Sequence, residues 1–407
     1  MDSNVYVLDP TGGNRHTEDA HLRVHGPAVR VDLLGQEVWA VADPAVLKSL
    51  LVDPRVSKDA AQHWPKFPDE IVGKWPLALW VGVSNMFTAY GSDHRRLRRL
   101  VSPAFAARRV AALAPRIEEI TEGLLDAIAE TPAGESVDLR ENFAVPLPIQ
   151  VISSLMGLPV SAQEAFRGLV DAVFDTTLSP EEAGENAAKL YGVLADLVAE
   201  KRENPGEDMT SLLIATRDDE GDGSALAEQE LLDTLLLVIS AGYETTVNLI
   251  DQAITLLLTR PEERAKVEAG RAGWRDVVEE VLRFEAPVAN LPLRYAVEDI
   301  ELPGDVTIRQ GEAILASYAA ANRHPDVHGE TADDFDITRS LKEHLAFGHG
   351  VHFCIGAQLA RMEAETALSK LFSRFPDLAF AADADLRPLE SLISNGHQVL
   401  PVVVQPS

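Results

Sequence analysis

The sequence has 407 residues and a single cysteine, Cys354. A lone cysteine excludes an internal disulfide and is typical of proteins in a reducing cytoplasm. Residues 1–26 are polar and contain no apolar run of the length that a signal peptide or a membrane anchor needs. We therefore expect a soluble cytoplasmic protein that does not bind a membrane.

Positive charge is scarce in this chain. There are 36 Lys and Arg residues against 64 Asp and Glu residues, which gives a formal net charge of −28. Nucleic acid is therefore excluded as a partner, because phosphate binding needs a basic face. One stretch differs: "HRRLRRLVSPAFAARR" (94–109) holds six arginines and no acid. This arginine cluster either steers an acidic partner protein or is a solvated helix face.

Hydrophobic periodicity predicts a mainly α-helical protein with a small β region. Residues 27–43 alternate around Gly35 and predict a β-hairpin. The pair Asn395-Gly396 lies between apolar runs and predicts a second hairpin turn near the end of the chain. We expect one domain over residues 1–407. The predicted β-rich parts are about 23–43, 286–320 and 385–405, and the predicted helical parts are about 44–285 and 355–375.

Cys354 lies in "FGHGVHFCIG" (347–356), directly before a predicted helix. It could be a buried apolar side chain. It could bind zinc together with His349 and His352, although no fourth ligand is obvious. As a thiolate at the first turn of a helix, it would be stabilised by the helix dipole and could bind haem iron. The glycines of the segment permit a tight loop and the close approach of a flat ligand.

A long apolar stretch, residues 229–260, predicts a buried central helix. Its middle reads "AGYETT" (241–246). Thr245 lies four residues after Ala241, so its hydroxyl can hydrogen-bond to the Ala241 carbonyl. A buried Glu244 beside that site could relay protons. The alternative is a polar break that the helix tolerates.

The cysteine segment resembles the signature of the cytochromes P450, the haem-thiolate monooxygenases. "AGYETT" is similar to the acid–alcohol motif of that family, and "EEVLRF" (279–284) is similar to its E-x-x-R element. The three motifs also follow one another in the family's order. The resemblance implies a cytochrome P450 fold, with haem b between the long central helix and the cysteine-bearing helix. It also implies that Cys354 ligates the iron and that Glu244 and Thr245 deliver protons.

The same resemblance assigns further residues to three groups, with surface charge as the alternative for the cations. The residues implied at the haem are His94, Arg98, Ala241, Gly242, Arg294, Phe347, His352, Cys354 and Gly356, of which His94, Arg98, Arg294 and His352 would contact the propionates. The residues implied at the substrate are Met86, Phe87, Phe174, Ala241, Val288, Ala289, Leu291 and Gln398. Glu280 and Arg283 would form a structural ion pair that anchors the loop at about 321–345.

The implied activity is insertion of one oxygen atom from O2 into a C–H bond of a bulky lipophilic molecule. The whole chain resembles soluble actinobacterial hydroxylases of steroids or polyketide macrolactones. The predicted pocket offers no charged partner for a carboxylate, so we expect head-group binding of fatty acids to be disfavoured.

The sequence contains no flavin or nicotinamide fingerprint, so electrons would come from a separate ferredoxin and ferredoxin reductase. The arginine cluster is the candidate docking surface, and we expect a monomer. Two other functions remain open, a haem-thiolate peroxygenase and a non-catalytic haem or ligand-binding protein. A peroxygenase would lack the acid–alcohol pair.

Overall fold

The computed structural model describes residues 5–159, 162–218, 221 and 223–405. Helices dominate these residues. The helices are α1 (Arg15–Val24), α2 (Pro44–Val52), α3 (Ala60–His63), α4 (Ala78–Gly82), α5 (Gly91–Val101), α6 (Ala107–Ala112), α7 (Ala114–Ala129), α8 (Pro146–Met156), α9 (Gln163–Phe174), α10 (Pro180–Glu203), α11 (Met209–Ala215), α12 (Glu228–Thr259), α13 (Pro261–Glu268), α14 (Trp274–Phe284), α15 (Tyr318–Asn322), α16 (Pro325–His328) and α17 (Ala357–Arg374).

The strands form a small β region. They are β1 (Tyr6–Val7), β2 (Val29–Leu33), β3 (Gln36–Val41), β4 (Val56–Ser57), β5 (Ser136–Asp138), β6 (Asn290–Ala296), β7 (Ile300–Leu302), β8 (Val306–Ile308), β9 (Ala313–Ser317), β10 (Ala379–Phe380) and β11 (Pro401–Val403). The largest sheet has the order β1-β2-β3-β9-β6-β4, the second has the order β10-β11-β5, and β7 pairs with β8. The predicted fold class, mainly α with a small β region, is confirmed.

The predicted N-terminal hairpin is present. Strands β2 and β3 pair antiparallel from Val29–Ala40 to Leu33–Gln36. Leu34 and Gly35 both have positive φ, 52° and 83°, as the two central residues of a type I′ turn require. Strand β3 then pairs in parallel with β9, which joins this hairpin to the strands that were predicted within residues 286–320.

Two predictions of secondary structure differ from the structure in detail. The span 44–285, which was predicted to be mostly helical, also contains two short strands, because β4 pairs with β6 and β5 pairs with β11. Both strands are two or three residues long and depend on partners more than 200 residues away. No local periodicity could have revealed them.

The predicted turn at Asn395-Gly396 is also wrong. Neither residue has positive φ. Instead, residues 389–396 form a longer loop, and a hydrogen bond from the Leu389 N–H to the Gly396 carbonyl closes it. The Asn395 side chain accepts a hydrogen bond from Arg15 at 2.7 Å and donates one to Glu285 at 2.9 Å. Asn395 is therefore a buried anchor of the tail, and the only regular strand in 385–405 is β11.

Helix α12 is the central helix, and its bounds match the predicted 229–260 to within one residue. It contacts α8, α10, α14 and α17, and most of its side chains are buried. Its apolar surface on all sides fits this position. Within the described ranges, no helix combines the length and apolar composition that a membrane span requires.

Candidate active site

A cavity of about 1330 Å³, a volume that includes space open to solvent, lies between α12 and the loop that precedes α17. Residues from far apart in the sequence meet on its walls, and most of the lining is apolar. The lining includes these residues implied by the resemblance: Met86, Phe87, Arg98, Ala241, Gly242, Thr245, Val288, Leu291, Arg294, Phe347, His352, Cys354 and Gly356. We call it the larger cavity.

The loop before α17 presents Cys354 to the larger cavity. Gly348 and Gly350 both have φ of 72°, and a Cβ on Gly350 would lie 2.8 Å from the Leu51 carbonyl oxygen. These two positions therefore require glycine. The Cys354 N–H donates to the Phe347 carbonyl at 2.8 Å, which closes the loop.

The groups around Cys354 shift the pKa of its thiol in opposite directions. Burial raises the pKa of the Cys354 thiol, whereas the N–H groups of Gly356 and Ala357 and the guanidinium groups of Arg98 and Arg361 lower it. These donors and charges favour the thiolate once a cation binds the sulfur. A thiolate at the start of α17 is suited to ligating a metal in the cavity.

Zinc is not supported at this position. In the part of the chain that the structure describes, one group of His, Cys, Asp or Glu side chains lies close enough to share an ion, namely Asp43, His324 and Asp326. It does not include Cys354. His352 instead lies beside His94, with ring centroids 4.2 Å apart.

Cations converge at one side of the larger cavity. His94 Nε2 and Arg294 Nη1 are buried and have no hydrogen-bond partner among the residues that the structure describes, although buried polar atoms nearly always have one. Burial, reinforced by Arg98 and Arg95, lowers the pKa of His94 to about 4, so His94 is neutral at pH 7 until an anion approaches. Carboxylates would supply the missing partners. The propionates of a haem ligated by Cys354 fit these residues.

Thr245 and Glu244 follow one another in the middle of α12. The Thr245 hydroxyl donates to the Ala241 carbonyl at 2.6 Å, as the spacing predicted. Thr245 lines the larger cavity, whereas Glu244 lines a second cavity with about 800 Å³ of empty space. Desolvation raises the pKa of Glu244 to about 7, and Arg140 partly opposes the rise.

Arg140 organises the surroundings of Glu244 and was not predicted from the sequence. It donates to Glu244 Oε1 at 3.4 Å and to Asp251 Oδ2 at 2.9 Å. Asp251 also lies 2.5 Å from His397 Nδ1. Asn248 donates to the same Glu244 oxygen at 3.0 Å. The carboxyl group of Glu244 is thus held on the side of α12 that faces the second cavity.

Three residues that were predicted to contact substrate lie elsewhere. Phe174 and Gln398 line the second cavity. The Gln398 amide is exposed and donates to the Pro388 carbonyl at 3.0 Å. Ala289 is fully buried, and its N–H donates to the Ile393 carbonyl. The described lining of the larger cavity does not contain them.

The larger cavity also holds a basic side chain that was not predicted from the sequence. Lys58 lines the larger cavity and is only 3 % exposed. Its position depends on β4, a strand that the sequence did not reveal. Tyr318 and Glu363 also line the cavity, and single residues of these types carry no recognisable sequence signal.

Glu280 and Arg283 form a fully buried, bidentate ion pair in α14. Arg283 Nη2 and Nε donate to the two carboxylate oxygens of Glu280 at 2.7 and 2.9 Å. Arg283 also donates to the carbonyls of Ala332 and Asp334, and Glu280 accepts from the Asp336 N–H. The pair thus holds residues 332–336 of the loop that leads to Cys354.

The arginine cluster is less uniform than the sequence suggests. Arg96 pairs with Glu230, and Arg99 pairs with the buried Asp218 at 2.8 Å. Arg98 lines the larger cavity and donates to the Phe353 carbonyl at 2.8 Å. The exposed members that have none of these contacts are Arg95, Arg108 and Arg109.

Comparison with known proteins identifies the class. The chain matches the sequence model of the family "Cytochrome P450" over residues 11–269 and 274–391. It therefore belongs to the cytochrome P450 family and is a haem-thiolate monooxygenase of the cytochrome P450 fold, with haem b as cofactor.

Individual relatives are similar along almost the whole chain. The solved structure of CYP154A1 from Streptomyces coelicolor A3(2) is 62% identical, with a TM-score of 0.94, and the match covers 98% of this chain and 100% of that one. The 2-hydroxy-5-methyl-1-naphthoate 7-hydroxylase of Streptomyces carzinostaticus is 42% identical over 400 residues, covering 98% of this chain and 97% of the relative. The 6-deoxyerythronolide B hydroxylase of Saccharopolyspora erythraea is 36% identical over 397 residues, covering 94% of each.

Proposed function

We propose that this cytochrome P450 hydroxylates a bulky lipophilic molecule, a polyketide macrolactone or a steroid, in the larger cavity. The observation that carries the proposal is that Cys354 and Thr245 face one mainly apolar cavity. Burial of apolar ligand surface there contributes about 25 cal/mol per Å². The relative that hydroxylates 6-deoxyerythronolide B supports the macrolactone.

The haem, when bound, supplies O2 activation and C–H oxygenation. The chain positions both partners of that reaction. Cys354 would hold the cofactor from the α17 side, and the donors around its sulfur would favour the thiolate once the metal binds. Met86, Val288 and Leu291 provide apolar walls that orient the substrate and exclude water.

Glu244 and Thr245 move protons in this proposal. The pKa of Glu244, about 7, lets its carboxyl group both take up and release a proton at neutral pH. Arg140 and Asn248 hold this group beside the second cavity, from which protons arrive. The Thr245 hydroxyl then presents the proton to the larger cavity, since it lines that cavity.

Electrons would come from an external ferredoxin and its reductase. The surface next to Cys354 exposes two apolar side chains, Val351 (63 % exposed) and Phe353 (43 % exposed). The exposed Arg95 lies in α5, the helix whose Arg98 donates to the Phe353 carbonyl. Helix α6, which carries Arg108 and Arg109, packs against α17. A mixed apolar and basic surface of this kind suits an acidic electron donor.

The proposal also covers the number of domains, the cellular location and the oligomeric state. A core of buried apolar residues runs from Leu8 to Val404, which supports one domain. The single cysteine supports a cytoplasmic enzyme, and we propose a monomer that binds neither membrane nor nucleic acid.

The test is a titration followed by turnover with isotopically labelled O2. A macrolactone and a steroid are each added to the ferric protein while the haem spectrum is recorded, and the better ligand is then turned over with ferredoxin, reductase and labelled O2. The proposal predicts a spin-state shift and one labelled oxygen atom in the product. Product oxygen that comes from added labelled peroxide, with none from O2, would instead establish a peroxygenase.

A further inference from the structure

Lys58 is a buried lysine that lacks an anionic partner in the described structure. Its ammonium contacts the Leu293 carbonyl at a long 3.4 Å and lies 3.7 Å from the centroid of the Phe87 ring. An ammonium group can donate three hydrogen bonds. Burying it without a carboxylate costs several kcal/mol. The residue therefore has unused donors on the wall of the larger cavity.

The sheet places Lys58 beside Arg294. Strand β4 pairs antiparallel with β6, with Val56 opposite Ala296 and Ser57 opposite Tyr295. Continuation of this register puts Lys58 opposite Arg294, and directly opposed side chains lie on one face of a sheet. Two like charges at such positions repel each other, and burial together with Arg294 lowers the pKa of Lys58 well below its ordinary value. An anion between or above the two side chains would favour the charged form of Lys58.

Both cations face the larger cavity, and both have donors to spare. Arg294 Nη2 donates to the Tyr318 hydroxyl at 3.3 Å, while its Nη1 is buried and finds no partner in the described part of the chain. His352 lines the same cavity. The cavity wall therefore presents three basic side chains, those of Lys58, Arg294 and His352.

We propose that Lys58 and Arg294 form a carboxylate-binding pair and that its occupant is a haem propionate, so that Lys58 is a further residue that anchors the cofactor. This inference rests on the proposed haem site. The resemblance already places Arg294 and His352 at the propionates. Both residues line the same cavity as Lys58. A carboxylate of the substrate is the other source of the same chemistry, and the experiment distinguishes the two.

The experiment measures haem loss from the ferric holoenzyme to excess apomyoglobin. Lys58→Met keeps the aliphatic stem and removes the charge, and Lys58→Arg keeps the charge. We expect Lys58→Met to release haem roughly tenfold faster, since a charged hydrogen bond of about 1.4 kcal/mol corresponds to this ratio. Lys58→Arg should stay close to wild type. Lys66→Met is the matched control, because Lys66 Nζ donates to Gln36 Oε1 outside the cavity lining.

A second readout does not depend on haem transfer. Loss of a cation beside the haem should make the haem reduction potential of Lys58→Met more negative, while Lys66→Met should leave it unchanged. Lys58→Gln serves as the neutral variant if Lys58→Met does not fold. An unchanged haem-loss rate together with an unchanged potential would overturn the inference even if the wild type shows a normal thiolate haem spectrum. The inference therefore fails separately from the haem site itself.

A further comparison tests whether a substrate carboxylate, and not the propionate, occupies the pair. It measures the binding of an aromatic carboxylic acid and of its methyl ester. If the propionate occupies the pair, Lys58→Met changes the affinities for acid and ester by the same factor. If Lys58→Met abolishes a preference of the wild type for the acid while haem loss is unchanged, Lys58 binds a substrate carboxylate and the propionate assignment is wrong.

Discussion

Glu244 and Thr245 are adjacent in α12, yet their side chains line different cavities. Thr245 faces the larger cavity with Cys354, and Glu244 faces the second cavity with Arg140. Successive residues of a helix point about 100° apart, so an acid–alcohol pair at i and i+1 can connect two compartments. In the proposed function, the central helix is therefore the wall that protons cross between the two cavities.

Removal of the Thr245 hydroxyl tests whether Thr245 delivers protons to the larger cavity. We predict that Thr245→Ala still binds substrate and accepts electrons but diverts a large part of the reducing equivalents to hydrogen peroxide. The measurement is the ratio of peroxide to product per NADH consumed. Thr259→Ala is the matched control, because Thr259 makes the same hydroxyl bond to the carbonyl four residues earlier, at the far end of α12. Equal ratios in the two variants would remove Thr245 from proton delivery.

The raised pKa of Glu244 predicts a pH-dependent stability. The pKa is 4.5 in the unfolded chain and about 7 in the folded protein, so folding favours the protonated form. The resulting stabilisation is complete below pH 4.5 and is lost as pH rises through 7.

Glu244→Gln removes this dependence. The free energy of unfolding of the wild type should therefore fall relative to that of Glu244→Gln by up to about 3 kcal/mol between pH 4.5 and 7. Urea unfolding of both proteins across this range measures the difference. A difference that stays constant with pH would show that Glu244 is not desolvated as the structure indicates. Glu244→Gln should also slow turnover.

The buried pair of α14 predicts a large loss of stability when either partner is replaced. Glu280→Gln leaves Arg283 as an uncompensated charge in a site with no solvent exposure, which costs about 3–5 kcal/mol. Thermal or urea unfolding measures the loss. Glu119→Gln breaks an exposed pair with the same i, i+3 spacing, and exposed pairs contribute roughly 1 kcal/mol or less. Similar losses in both variants would contradict a structural function for Glu280.

The exposed arginines predict a salt-dependent reduction rate. Charge reversal of Arg95, Arg108 and Arg109 should slow reduction by a ferredoxin and flatten its dependence on ionic strength, with substrate affinity unchanged. Arg96 and Arg99 are left intact, because they pair with Glu230 and Asp218. Arg387→Glu, a change at another exposed arginine, is the control. Equal reduction rates in all these proteins would show that the arginine cluster is only a solvated surface.

Structural features that depend on local sequence pattern were predicted well. The bounds of α12 and the hairpin at Gly35 follow from periodicity and turn chemistry. The loop at Cys354 follows from a run of motif residues whose glycines need positive φ.

The features that were predicted wrongly or missed share a physical cause. In each of them, contacts with a distant segment set the position or the charge environment of a residue. Asn395 binds Arg15, 380 residues earlier, and therefore does not form a turn. Lys58 owes its position to the register of β4 on β6, and Arg99 owes its neutralisation to Asp218. None of these partners can be read from the residues near them.

The central claim is that Cys354 is the thiolate ligand of a haem, and the spectrum of the ferrous protein with bound carbon monoxide tests it most directly. The wild type should show the strongly red-shifted Soret band of a thiolate-ligated haem, and Cys354→His should lose that band while retaining haem through the propionate contacts. A wild-type spectrum of the histidine-ligated type in freshly prepared, fully folded protein would contradict the assignment of Cys354.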